Sequence, residues 1–317
     1  TAGGAVLLVA AVLVPRALLF AGWVPATSSL LFYPPVPATD FVAARLAEAG
    51  ARGFRVAGII AALPPHAAAF FGFPEVRAYD PMTFAPYHRF LELAGDPVDV
   101  GWSPIHDPSL PVLDFLGARW IFDHPHRGER AGVEVVYRGP EAVVYDNPGA
   151  LPRLYVPRAV EVRPSHEEAL ATAGELPDFA ERVAASGDLP VPPGTRPRVP
   201  NGPARVDALR VEPRRIVADV TVDSLALLAT SQPAIPGWRA EIDGEPAGFV
   251  RVNGAFLGLL VDTGHHHVEL RYAPASWTVG LLLFLLGTVL ATWAAWRPSR
   301  RLQPTGEGAR AAARSRQ

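Results

Sequence analysis

The chain has 317 residues, room for about two domains of ordinary size, and is 49% hydrophobic and 19% charged. Its formal net charge of −2 gives no global field for nucleic acid, which calls for a basic face or stripe. It contains no cysteine, which excludes disulfides, thiolate-ligated zinc, iron–sulfur clusters and thiol nucleophiles.

The sequence opens at Thr1 inside an apolar run, so we expect the natural product to extend upstream. Residues 4–23 are apolar except for Arg16, which follows Pro15. This predicts a transmembrane helix over 1–26, either kinked and packed on other helices or with Arg16 reaching toward the interface. A signal peptide is the rival reading, but it lacks a basic n-region. TDFVAARLAEAG (39–50) predicts a helix capped by Thr39 or Asp40 and stopped by Gly50. GFRVAGII (53–60) and ARWIFD (118–123) predict strands, and 86–94 and 108–116 short helices. VEVVYRGPEAVVYDN (133–147) predicts a hairpin about an Arg-Gly-Pro turn, RLYVPRAVEV another strand, and 165–185 a helix.

LPVPPGTRPRVPNGP is too rich in proline for a helix or a central strand, and we place a linker at 189–203. Short strands alone follow, with Asp243-Gly244 and Asn253-Gly254 as turns that tolerate positive φ. The expected architecture is membrane-anchored α+β: an extracytoplasmic α/β domain over 27–188, then a small antiparallel β-sandwich over 204–274. WTVGLLLFLLGTVLATWAAW (277–296) carries no charge, and a helix of that length spans about 30 Å, the thickness of a bilayer core. It predicts a second transmembrane helix over 275–296. Arg297, Arg300, Arg301, Arg310, Arg314 and Arg316 follow it, against Glu307 alone. The positive-inside rule therefore places the tail, 297–317, in the cytoplasm of a bacterial cell and 27–275 outside.

Three constellations could carry chemistry. Arg77, Tyr79, Asp80, Tyr87, His88 and Arg89 suit a phosphate or sugar hydroxyls; the alternative is an Arg–Asp pair that pins a loop. Trp238, Asp243 and Asn253 could form a sugar platform, though a Trp after Pro-Gly more often plugs a core. His265 and His267 would share one strand face, but no third metal ligand is evident, and a solvated edge is the plainer reading. His124 and His126 are read in the same way. Neither a catalytic residue nor a metal or other cofactor is expected.

LPPHAAAFFGFPEVRAYDPMTFAPYHRFLEL, PVLDFLGARWIF, VVYDNPGALPRLYV and PGWRAEIDGEPAGFVRVNGAFLGLLVDTGHHHVELRYAPASWTVGLLL follow one another in order. This series resembles the C-terminal half of YfhO-type bacterial membrane proteins. The resemblance implies a multi-pass protein similar to envelope glycosyltransferases of the C-type superfamily, which use lipid-linked sugar donors. It also implies that the catalytic acid and donor site lie in N-terminal helices and a first outer loop that this chain lacks. Ala234-Ile235 departs from the family, where an aromatic often precedes Pro-Gly-Trp. The partners implied are membrane lipids, the missing N-terminal helices, a polyprenyl-phosphate sugar and an envelope glycan acceptor. A non-enzymatic module that binds glycan or scaffolds a partner is the alternative.

Overall fold

The computed structural model describes all residues except 1, 24–30, 32, 51–52, 78–81, 96–103, 188, 190–197 and 297–317. Two compact units emerge, one of the terminal segments 1–27 and 275–317, the other of residues 28–274.

The terminal unit holds α1 (Ala2–Trp23), with Pro15 inside it, and α7 (Ala275–Trp296). Among the described residues α7 is the one helix long and apolar enough to cross a membrane, over Ala275–Ala294. In α1 the described apolar stretch is Val9–Phe20, and it contains Pro15 and Arg16.

The 28–274 unit begins with α2 (Pro37–Ala49). It starts two residues before the expected cap, because Pro37 is preorganised for the first helical position. Thr39 Oγ1 turns back to accept from Val36 N at 2.9 Å and donate to Val36 O at 2.8 Å. Gly50 ends the helix with φ 57°, as expected of a glycine stop. Next come β1 (Arg55–Gly58), α3 (Ala67–Phe70), α4 (Ala85–Leu91), α5 (Pro111–Phe115), β2 (Ala118–Asp123) and the hairpin of β3 (Glu134–Arg138) and β4 (Val143–Asp146). These strands form a mixed four-stranded sheet in the order β1-β2-β4-β3, with β1 parallel to β2.

From here the structure departs from expectation. RLYVPRAVEV is two strands, β5 (Leu154–Tyr155) and β6 (Ala159–Val162), split around Pro157, which cannot donate to a ladder. The helix expected over 165–185 is only α6 (His166–Ala173). Gly174 ends it, Pro177 prevents its continuation, and Arg182–Ser186 is β7, buried almost throughout. Tertiary pairing overrides the helical preference of its alanines: β7 lies between β6 and a later strand.

The linker expected at 189–203 does not separate two domains. Its end is β8 (Arg198–Pro200), which pairs with β6. The strands after it are β9 (Ala204–Glu212), β10 (Arg215–Val222), β11 (Ala226–Pro233), β12 (Trp238–Ile242), β13 (Glu245–Ala247), β14 (Val250–Val252), β15 (Phe256–Val261) and β16 (Gly264–Tyr272). A five-stranded antiparallel sheet has the order β13-β12-β16-β10-β9. A seven-stranded sheet, β5-β11-β15-β14-β7-β6-β8, draws strands from both sides of the proline-rich segment. An apolar core joins the two sheets, with Ile216, Val220, Val268 and Leu270 from one and Leu228, Leu257 and Leu259 from the other. A second core is centred on Phe90, Phe115, Phe179 and Phe256, with ring centroids 4.7–6.1 Å apart where pairs meet. Phe256 comes from β15 and the others from before residue 189, so the region expected to be a separate sandwich completes the core of the first.

Candidate functional site

Among the described residues, those singled out from sequence do not converge. Arg77 is buried; its Nε donates to Glu75 Oε1 at 2.7 Å, its Nη1 to Ile60 O at 2.7 Å, and its Nη2 to Leu63 O. A Cβ on Gly58 would lie 2.5 Å from Arg77 Nη2, so glycine is what lets the guanidinium reach these carbonyls. The loop-pinning role foreseen for an Arg–Asp pair is thus filled by Arg77 with Glu75. Tyr79 and Asp80 lie outside the described residues. Arg89 is exposed, 3.6 Å from Glu167, and His88 stands 3.6 Å from Glu92.

Trp238 is half-buried at the rim of the inter-sheet core, its ring 5.4 Å from that of Tyr272. Asp243 follows the opposite end of β12, about 16 Å along the strand at ordinary strand rise. Its Oδ2 meets His266 Nδ1 at 2.7 Å and its Oδ1 accepts from His267 N at 2.8 Å. Asn253 is fully buried; its backbone N–H donates to Ala184 O at 2.7 Å and its Oδ1 accepts from Ala184 N at 2.9 Å. It joins the β14–β15 turn to β7.

The histidine run alternates as predicted, His265 and His267 exposed and His266 half-buried. Each faces its own carboxylate: His265 Nδ1 lies 3.8 Å from Asp207 Oδ2 and His267 Nδ1 2.6 Å from Asp219 Oδ1. Among the described residues no group of three or more potential ligands gathers around a point.

Tyr87 leads to a different place. It lines a cavity of about 720 Å³ with Phe54, Arg55, Phe73, Glu75, Arg153 and Gln232. The walls come from the end of α2, the start of β1, the segment after α3, the β9–β10 turn and the end of β11. Arg55 is 5% exposed. Its Nη1 donates to Leu116 O at 2.6 Å and Ser231 Oγ at 3.1 Å, and its Nη2 to Ser231 O at 2.9 Å. Arg153 reaches Gly53 O from Nε at 3.4 Å and from Nη2 at 3.3 Å, and Gln232 Oε1 from Nη1 at 3.2 Å. Gly53 has φ 70°, and a Cβ there would lie 2.7 Å from Val211, so only glycine fits both the turn and the wall.

The electrostatics follow from this burial. Desolvation lowers the pKa of Arg55, and it lowers that of Arg153 well below the usual arginine value, with repulsion from Arg55 adding to it. Burial raises the Tyr87 phenol, against the pull of both arginines, and its hydroxyl donates to Val76 O at 2.6 Å. Glu75 is pushed up to about 7 by burial, against the pull of Arg77. Near neutrality the cavity wall therefore carries two cations and a carboxyl that is partly protonated, with the exposed Glu212 at its rim.

Residues 203–284 match the family of bacterial membrane protein YfhO. The YfhO match runs from β9 through β16 into α7, and bears out the resemblance read from the sequence. The segments before residue 203 that also suggested YfhO lie outside the match. The match and the apolar helix α7 together support membrane association. No curated protein and no solved structure matches the chain.

Sequence reasoning found Tyr87 and missed Arg55, Glu75, Arg153 and Gln232. A signal for Arg55 was present: GFRVAGII is apolar on both strand faces, so its one charge had to be buried. Arg153 had none, because only the fold brings it to Gly53.

Proposed function

We propose that residues 28–274 are the extracytoplasmic ligand-binding module of a YfhO-type envelope protein, tethered through α7. The observation that carries this reading is continuity: the YfhO match spans β9–β16 and enters the uncharged helix that opens three residues after β16 ends at Tyr272. The six arginines after α7, against Arg271 alone just before it, favour an outer location for the module. The resemblance to lipid-linked-sugar glycosyltransferases assigns sugar transfer to N-terminal membrane helices and the first outer loop. The module's part in such a protein is recognition. The cavity at Arg55 and Arg153 favours this role, whether the whole protein transfers sugar or only binds or scaffolds envelope glycan.

The chain has no native cysteine, so a single reporter tests its placement. Glu129 is exposed in the loop between β2 and β3. Glu129→Cys should react with an impermeant maleimide in intact cells. Reaction only after lysis would put the module on the cytoplasmic side and overturn the reading.

A further inference from the structure

We infer that the cavity around Arg55 and Arg153 receives the oxyanion of a small ligand, a phosphate or carboxylate group held between the two guanidinium groups. This rests on the reading of residues 28–274 as a ligand-binding module and deepens it by naming the ligand's chemical class, and it holds whether or not sugar is transferred.

The argument begins with charge. A buried cation is normally matched by a carboxylate, because an uncompensated ion in a low-dielectric interior is costly. Arg55 and Arg153 have no carboxylate partner among the described residues. Every oxygen they meet is neutral: the backbone carbonyls of Leu116 and Ser231 and the Ser231 hydroxyl for Arg55, Gly53 O and Gln232 Oε1 for Arg153. The two repel each other, which is why Arg153 feels Arg55 as well as its own burial. Glu75 does not neutralise them, since its Oε1 is engaged by Arg77 and burial favours its protonated form.

The two arginines differ in how firmly they are held. Arg55 ties β1 to β11 through Ser231, with bonds of 2.6–3.1 Å. Arg153 makes only long contacts of 3.2–3.4 Å, so its fork is free to close on an anion at small cost. Space and walls agree. A volume of about 720 Å³ suits a molecule of metabolite size, and Phe54, Phe73 and Tyr87 offer apolar surface for its uncharged part. An internal pair of arginines used only for structure would need no such cavity beside it.

The test is equilibrium binding to the full chain in detergent micelles, with glucose 1-phosphate, glucuronate and neutral glucose as probes. Binding of either anion, weakened by salt, with none for glucose supports the inference, and the anion that binds more tightly identifies the preferred group. Arg153→Gln should weaken that binding by at least about tenfold, because it removes one charge-assisted bidentate contact. Arg153→Lys keeps the charge but loses the fork, and should fall between the two. If neither anion binds the wild-type chain, or glucose binds as well as its charged counterparts, the inference fails whatever the variants do. Unchanged binding by a folded Arg153→Gln would also overturn it.

Discussion

At one end of β1, Arg77 meets Glu75, with side chains 0% and 6% exposed, and satisfies the carbonyls of Ile60 and Leu63. At the other end, Arg55 is as deeply placed and Arg153 is half-buried, and both meet only neutral oxygens beside a cavity. In the first arrangement charge, counter-charge and acceptors come from the chain itself, and Glu75 Oε2 alone is left without a hydrogen-bond partner among the described residues. The second is left one anion short. Burial alone therefore does not tell a structural arginine from a ligand-facing one; what separates them is whether the chain supplies the countercharge.

If Arg77 is the structural case, its removal should have the largest effect. Arg77→Ala leaves two buried carbonyls without a donor and Glu75 without its cation. Breaking a buried pair from one side costs about 3–5 kcal/mol. Denaturant unfolding of the whole chain in micelles should show a loss of that order. A loss below about 1 kcal/mol would show that Glu75 and the loop tolerate the gap, and the contrast between the two ends of β1 would collapse.

The next effect is a pH dependence. Glu75 titrates near 7 in the fold and near 4.5 when unfolded. A raised carboxyl pKa means that the folded state holds its proton longer. Its contribution to stability is full below pH 4.5 and is lost as pH rises through about 7. The shift corresponds to about 2–3 kcal/mol once partial exposure is allowed for. Glu75→Gln keeps a neutral acceptor for Arg77 and should flatten the fall in melting temperature between pH 5 and 8, by about that free energy. A wild-type curve that is already flat would mean that Glu75 is ionised throughout, with Arg77 outweighing burial.

Local signals in the sequence were read well. Gly50 as a stop, the 133–147 hairpin, β2 at 118–123 and the strands after 204 all follow from turn chemistry and period-two patterning, which act over a few residues. What failed was long-range. Pro157 split one expected strand, and β7 was hidden in a run of alanines because its partners, Ala159–Val162 and Arg251–Val252, lie far away in sequence. The linker at 189–203 looked like a domain boundary from composition, yet Phe256 packs on Phe90 and Phe115 across it. The cavity was illegible for the same reason: Gly53, Tyr87, Arg153 and Gln232 come together only through sheet order. Trp238 was expected to fill the inter-sheet core, but the branched residues of β10, β15 and β16 fill it, and the indole lies at its edge.

The smallest effect should come from the outer carboxylate pairs, where water screens what the interior cannot. Donation to Asp243 raises the pKa of His266, and Asp243 is itself lowered, first by the backbone N–H of His267 and then by His266. The signs bound a window. The raised histidine contributes stability that is present below its ordinary 6.5 and lost as pH rises through its folded value. The lowered aspartate contributes above its ordinary 3.8 and is lost as pH falls through its own. Asp243→Asn is a mild probe because Asn tolerates the left-handed φ of 53° at this turn and can still accept from His267 N. The His266 titration midpoint, followed by NMR, should fall toward the ordinary histidine value, with little change in melting temperature at pH 8. If it falls and the melting temperature drops as far as in Arg77→Ala, the exposed pair is as structural as the buried one. Countercharge supplied by the chain would then matter more than burial in setting what a charged group contributes.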